Sequence, residues 1–359
     1  MKIDNLRARL SAGYKKFKKI HPRRFKWLKV TSIVLAVFIL LQPLIGLGYA
    51  WSQRHNPIVF GASFSIKQAE AFGLNPQETL HAMLTDLGLK RVRLMSYWDR
   101  GEPEQEKYDF TDLDWQFKEA EAAHAKVSLA VGLRQPRWPE CHAPAWAANL
   151  STTQLTNELS TYIQAVINRY KSSPALDSYQ LENEFFNNGF GQCTNYDKSR
   201  FINETNLVKK TDPVHPVIIT LSNNFVGLPV QAPHPDIFGL SIYRRLYSTN
   251  IYHGYVTYPF PAWFYSIRAG WIKLLTGKDT IVSEFQMEPW GTKPIEDMTI
   301  AEQNESIPVS DIPGRFGFAR ATQIKTVDLW GAEWWYWRKV HFNDPSVWKT
   351  VKSELAKSH

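Results

Sequence analysis

Apolar residues in this chain fall into short blocks of four to six, separated by longer stretches in which apolar positions recur every three or four residues. The first pattern fits strands buried on both faces and the second fits amphipathic helices. Ile58–Gly61, Arg91–Met95, Lys126–Val131, Ser178–Leu181, Val217–Leu221, Ile237–Ile242, Thr280–Val282 and Gly331–Trp337 read as eight strands in succession. Helical stretches fall between them, near 76–87, 113–123, 153–170, 203–212, 262–275 and 315–325, with a closing one over 346–357. Asn75 before Pro76 is the expected start signal of the first of these. Eight strands alternating with helices over roughly 300 residues predict an α/β fold of the (β/α)₈ TIM-barrel type. A doubly wound open sheet competes, but it would usually carry a Gly-rich phosphate loop after an early strand, and this chain has none.

Ahead of the alternation the pattern is different. Val30 to Ala50 contains no charged residue, and a helix of about 20 apolar residues crosses a bilayer. The segment before it, residues 1–29, holds eleven Lys or Arg and a single acid, Asp4. These features predict a transmembrane signal anchor over 30–50 and a basic cytoplasmic tail over 1–29. A linker over 51–57 then leads to one exported domain over 58–359. Trp27, Tyr49 and Trp51 are placed to anchor the two interfaces. A cleaved signal peptide is the competing reading, since Gly48-Tyr49-Ala50 offers small residues near a possible cleavage point, but the apolar run exceeds the usual length of about 7–15 residues.

The net charge of +8 has the same origin. The tail carries +10, so the remaining 330 residues sum to −2 and present no basic footprint for nucleic acid. Hydrophobic content of 44% with 14% aromatic residues is enough for a large core and leaves aromatics for a cleft. Cys141 and Cys193 are the only cysteines; in an exported domain they either pair or remain two separate thiols. No CxxC, HExxH or His-x-His cluster is present, so no metal or organic cofactor is expected.

The chemistry is concentrated in two short acidic motifs. Gln180-Leu181-Glu182-Asn183-Glu184-Phe185 ends the fourth strand, and Ile281-Val282-Ser283-Glu284-Phe285 ends the seventh. In one barrel both ends lie on the face where such folds build active sites. Two carboxyl groups across a pocket are what glycoside hydrolysis requires. Glu182 and Glu288 are competing positions that would shift the register of each motif.

Asn183-Glu184 at the end of a fourth strand resembles the clan-A (β/α)₈ glycoside hydrolases, the retaining superfamily that contains cellulase-like and β-galactosidase-like enzymes. Val282-Ser283-Glu284-Phe285 is similar to that clan's seventh-strand motif. Phe185 stands where many members have proline, which leaves the family within the clan open. The resemblance implies that Glu184 is the acid/base and Glu284 the nucleophile, acting on an oligo- or polysaccharide. It further implies that Arg93 and Tyr243 hold the nucleophile and that Asn183 binds the sugar 2-hydroxyl. Among the tryptophans that end or follow strands, Trp335 or Trp337 is the expected platform for a sugar ring. A barrel that binds carbohydrate without catalysis and a cell-surface transglycosylase are the alternative functions.

Overall fold

The computed structural model describes residues 22–187, 189–193, 196–222, 233–249 and 253–357. The first 21 residues of the basic tail, and Asn223 and Asn224 after β5, which the sequence offers as further polar contacts for a sugar, lie outside these ranges. The chain opens with helix α1 (Pro22–Gln53). It continues through β1 (Val59–Ser63), α2 (Ile66–Ala71), α3 (Pro76–Thr85), β2 (Arg91–Met95), α4 (Trp98–Gly101), α5 (Thr111–Ala122), β3 (Lys126–Val131), α6 (Thr152–Tyr170), β4 (Leu176–Leu181), α7 (Lys198–Thr211), β5 (Val217–Leu221) and β6 (Ile237–Ile242). A hairpin of β7 (Arg245–Ser248) and β8 (Gly254–Thr257) precedes α8 (Ala262–Thr276) and β9 (Asp279–Gln286). The chain ends with α9 (Ile300–Ser306), α10 (Ile312–Ala321), β10 (Thr326–Trp330), α11 (Ala332–His341) and α12 (Ser346–Ala356).

Eight of these strands close a parallel barrel in the order β1-β10-β9-β6-β5-β4-β3-β2. Local chemistry explains the helix starts. Asn75 accepts hydrogen bonds from the Gln77 and Glu78 amides ahead of α3, and Ser151 forms a capping box with Gln154 ahead of α6. The strands are buried along nearly their whole length, because barrel interior and helical layer cover opposite faces.

Not every inward position is apolar. Arg91 on β2 meets Asp328 of β10 (Nε to Oδ1, 2.9 Å) and Asp177 of β4 (Nη1 to Oδ2, 2.7 Å). This ion cluster bridges the seam between the first and last strands. Asp328 also explains a correction: the last barrel strand is Thr326–Trp330, not Gly331–Trp337. A carboxylate in the middle of a strand breaks the apolar pattern unless a buried cation answers it, and Arg91 does so across the barrel. Gly331, at φ +117°, then turns the chain into α11.

Trp335 and Trp337 consequently lie on a helix rather than on a strand facing the cleft. Trp335 is fully buried and donates to the Met287 carbonyl, and Trp337 stacks on Phe72. Of the three aromatics expected at membrane interfaces, Tyr49 is buried against the fold, whereas Trp27 and Trp51 are 74% and 67% exposed.

Candidate active site

Glu284 owes its position to an irregularity in β9. On the β6 side Leu240 pairs with Val282 but Ser241 pairs with Glu284, and the β10 side shows the same extra residue. A bulge of one residue re-aims the side chains that follow it. Ser283 fits beside Gly239, where a Cβ would stand 2.8 Å from the serine oxygen. Glu284 beyond the bulge is 4% exposed. Its Oε1 accepts from Arg93 Nη2 at 2.9 Å and its Oε2 from the Tyr243 hydroxyl at 2.7 Å. Arg93 is fixed in turn by Ser63 Oγ (2.9 Å) and Gln180 Oε1 (2.8 Å). A guanidinium and a phenol therefore orient both oxygens of this carboxylate.

Glu184 lies on the opposite wall, at the end of β4. The chain turns there through two residues of left-handed backbone, Glu182 at φ +53° and Glu184 at φ +43°. Such conformations persist only where surrounding structure enforces them, and they cluster at functional sites. The Glu184 amide donates to Thr220 Oγ1 (2.7 Å) and its Oε2 accepts from Asn187 Nδ2 (3.2 Å). Burial, and secondly the negative charge of Glu284, push its pKa up to about 6.

The competing carboxylates are otherwise occupied. Glu182 points to the other side of its turn, where it accepts from the Leu133 and Arg134 amides and from Arg200. Glu288 reaches the same cavity as Glu284 but is engaged by both terminal nitrogens of Arg137, at 2.5 and 3.0 Å. Asn183 faces the cavity, its Nδ2 donating to Glu140 Oε2 at 2.9 Å and its Oδ1 accepting from Gln180 Nε2 at 3.2 Å.

Glu184, Glu284, Glu288, Asn183 and Tyr243 border a cavity of about 820 Å³ at the carboxyl ends of the strands. Trp330, the last residue of β10, lines it, with Trp138 and Trp290 farther out. Trp330 is absent from the sequence-based expectation because the expected strand, Gly331–Trp337, begins only after β10 (Thr326–Trp330) has ended. Glu140 is absent from it as well, since nothing in a loop sequence singles it out. Cys141 next to it is disulfide-bonded to Cys193 (Cα–Cα 5.4 Å), so the segments following β3 and β4 are joined beside the cleft. Among the described residues no group of three or more His, Cys, Asp or Glu is arranged to hold a metal ion.

Glu140 is 4% exposed, and burial pushes its pKa up to about 8, with the charges of Glu284 and Glu184 adding to the effect. In the native state it keeps its proton to about pH 8, whereas the unfolded group ionises near 4.5. Native protein thus binds the extra proton, and stability falls as pH rises through that window. Glu140→Gln is expected to abolish this loss, gaining up to about 5 kcal/mol on wild type above pH 8. Denaturant midpoints measured at pH 5 and pH 9 check it. A constant difference between the two proteins at both pH values would remove the assignment.

No protein-family model matches the sequence, and no curated protein does. Solved structures do match the fold. An exo-β-1,4-mannosidase from Opitutaceae bacterium strain TAV5 superposes with a TM-score of 0.53 at 12% identity, covering 84% of this chain; the chain spans 60% of the mannosidase's length. GH5_18 from Bifidobacterium longum subsp. longum gives 0.56 at 9% identity, over 84% of this chain and 79% of its own. Xylanase 10B from Thermotoga maritima gives 0.51 at 16% identity, over 84% and 95%. The chain has the (β/α)₈ barrel fold that these proteins share.

Proposed function

We propose that this chain is a membrane-anchored retaining glycoside hydrolase of clan-A type. The observation that carries the reading is the pair of carboxyl groups at the ends of β4 and β9, bordering one cavity in unequal environments. Glu284, bound by Arg93 and Tyr243, is the nucleophile. Glu184, whose proton is retained to about pH 6, is the acid/base. Glu184 gives its proton to the glycosidic oxygen as Glu284 attacks the anomeric carbon, releasing the aglycone and leaving a glycosyl ester on Glu284. Glu184 then takes a proton from water, whose oxygen displaces Glu284 and regenerates both carboxyl groups. A separation of about 5–5.5 Å between the carboxyls is required for this double displacement. Asn183 contacts the sugar 2-hydroxyl, and Trp330 is the platform in place of Trp335 and Trp337. The similarity to a mannosidase, a GH5_18 protein and a xylanase supports a carbohydrate substrate.

The anchoring rests on α1. Among the described helices it is the one long and apolar enough to cross a membrane, and Arg23, Arg24, Lys26 and Lys29 mark its N-terminal end as the cytoplasmic one. The Cys141–Cys193 disulfide agrees with an exported domain.

A panel of epoxide and cyclitol-aziridine glycoside mimics, followed by peptide mapping, tests the catalytic reading. The expected result is one adduct, on Glu284, with the reactive probe reporting the sugar. Labelling of Glu288 would reverse the nucleophile assignment. Absence of any adduct, with sugar binding intact, would leave a carbohydrate-binding barrel without turnover.

A further inference from the structure

The exported end of α1 is not a free tether. Phe38 stacks on Trp271 of α8 with ring centroids 6.2 Å apart, and Gln42 Oε1 accepts from the Trp271 indole at 2.8 Å. One to two turns on, the backbones of the two helices close on each other. A Cβ on Gly46 would stand 2.8 Å from Ile267, and one on Gly270 would stand 2.7 Å from Ile45. Small residues at a crossing are how membrane helices pack when no hydrophobic force draws them together. Phe38, Gln42, Ile45, Gly46 and Tyr49 thus form one stripe of α1 that faces α8, buried at Gly46 and Tyr49, partly buried at Gln42 and Ile45, and still 53% exposed at Phe38.

Length turns this contact into a statement about depth. Val30–Ala50 is 21 residues, or about 31 Å of helix, and the hydrocarbon core is about 30 Å thick. The segment has no slack: with Lys29 at the inner boundary, the outer boundary falls near Tyr49. Phe38 to Tyr49, about 18 Å of helix, therefore runs from near the midplane to the outer boundary. Whatever packs on that stripe lies at the same depth.

The outer surface of α8 suits such a place. Trp263, Leu274 and Leu275 are 62%, 65% and 51% exposed, and Trp271 is half-buried. Lys273, the exposed cation among them, is paired with Asp279 at 2.8 Å. On an aqueous surface these leucines and tryptophans would be an unpartnered apolar face; against α1 they continue its lipid-facing surface.

We infer that α8 is immersed beside α1 in the acyl chains of the exported leaflet, so that the barrel is seated in the membrane rather than suspended from it. The inference rests on the anchoring reading above, because it takes α1 to span the bilayer. It fixes which flank of the barrel meets lipid: the one between β6 and β9, and β9 carries Glu284.

Both native cysteines are consumed in the disulfide, so single engineered thiols can be labelled selectively in the full-length protein. An environment-sensitive fluorophore is placed at Leu274→Cys and Leu275→Cys on α8, at Val34→Cys on α1, and at Lys118→Cys on α5, across the barrel. The protein is reconstituted in phosphatidylcholine nanodiscs with or without brominated acyl chains. The expected result is blue-shifted emission at 274, 275 and 34, with bromolipid quenching as strong on α8 as on α1, and no quenching at 118. Quenching at 34 but aqueous emission at both 274 and 275 would overturn the seating and leave the anchor standing. Aqueous emission at 34 as well would overturn both. Quenching at all four positions would mean that the protein associates with lipid non-specifically, and would also overturn the seating.

Discussion

Replacing Glu284 with glutamine is expected to reduce turnover by about four to six orders of magnitude while leaving the barrel folded, the scale of loss when a covalent nucleophile is removed. The fold should survive because Arg93 does not depend on Glu284 alone. Ser63 and Gln180 also hold the guanidinium, and the amide oxygen of glutamine can still accept from it. What disappears is the anionic oxygen that bonds to the anomeric carbon. A glycine variant sharpens the test by opening room for a small anion. With an activated aryl glycoside, azide should restore part of the rate and yield a glycosyl azide of inverted configuration, because only one of the two displacements remains. Chiroptical spectra and thermal melts establish that the variants are folded. Near wild-type turnover in Glu284→Gln would end the nucleophile assignment.

Glu184→Gln should behave differently, and the leaving group should reveal how. With poor leaving groups the loss is about 10²–10⁴-fold, because proton donation to the departing oxygen is removed. With dinitrophenyl glycosides the first step needs no proton, so glycosylation should survive while release of the glycosyl-enzyme slows. The pH profile carries the sign. A pKa of about 6 means that the fraction of Glu184 holding its proton falls tenfold per pH unit above that point. In wild-type enzyme kcat/KM should therefore decline on the alkaline side of about pH 6, and this limb should vanish in Glu184→Gln. Burial is the larger cause of the raised value and the Glu284 charge the second. Esterification of Glu284 in the intermediate removes that charge and lowers the affinity of Glu184 for its proton, which suits the base role needed in the second step. By the same logic Glu284→Gln should move the Glu184 titration to lower pH, which carboxyl-carbon NMR can follow.

Those two glutamates were legible in the sequence for a physical reason. A carboxylate at the end of an apolar strand calls for a partner or a task, so Asn183-Glu184 and Ser283-Glu284 stood out, although Glu182 beside them is taken up by the Leu133 and Arg134 amides and Arg200. Strands β2, β3, β5 and β6 were equally plain, since five or six apolar-dominated residues bounded by polar ones leave little choice of register. The last strand was misplaced because its Asp328 is matched by Arg91, a partner more than two hundred residues away that no local pattern reveals. That error directed attention to Trp335 and Trp337 and away from Trp330, the tryptophan of β10 that lines the cavity. Glu140 was invisible because its importance comes from burial beside Asn183 and Arg134, and loop sequence does not encode burial. The contact between α1 and α8 was hidden likewise. Gly46 and Gly270 read as ordinary glycines until the two backbones are seen to meet.

Arg91 and Arg93 stand two residues apart on β2, and they divide the barrel between them. The lower arginine ties β2 to β4 and β10, and the upper one holds the carboxylate to which we assign the chemistry. Because the two tasks use separate partners, mutational drift could erase one without touching the other. A descendant of this chain that lost Glu284 would remain a closed barrel with its cleft open. The architecture thus makes a retired enzyme a short evolutionary step from a working one, and leaves the upper tier free to be rebuilt for a new ligand.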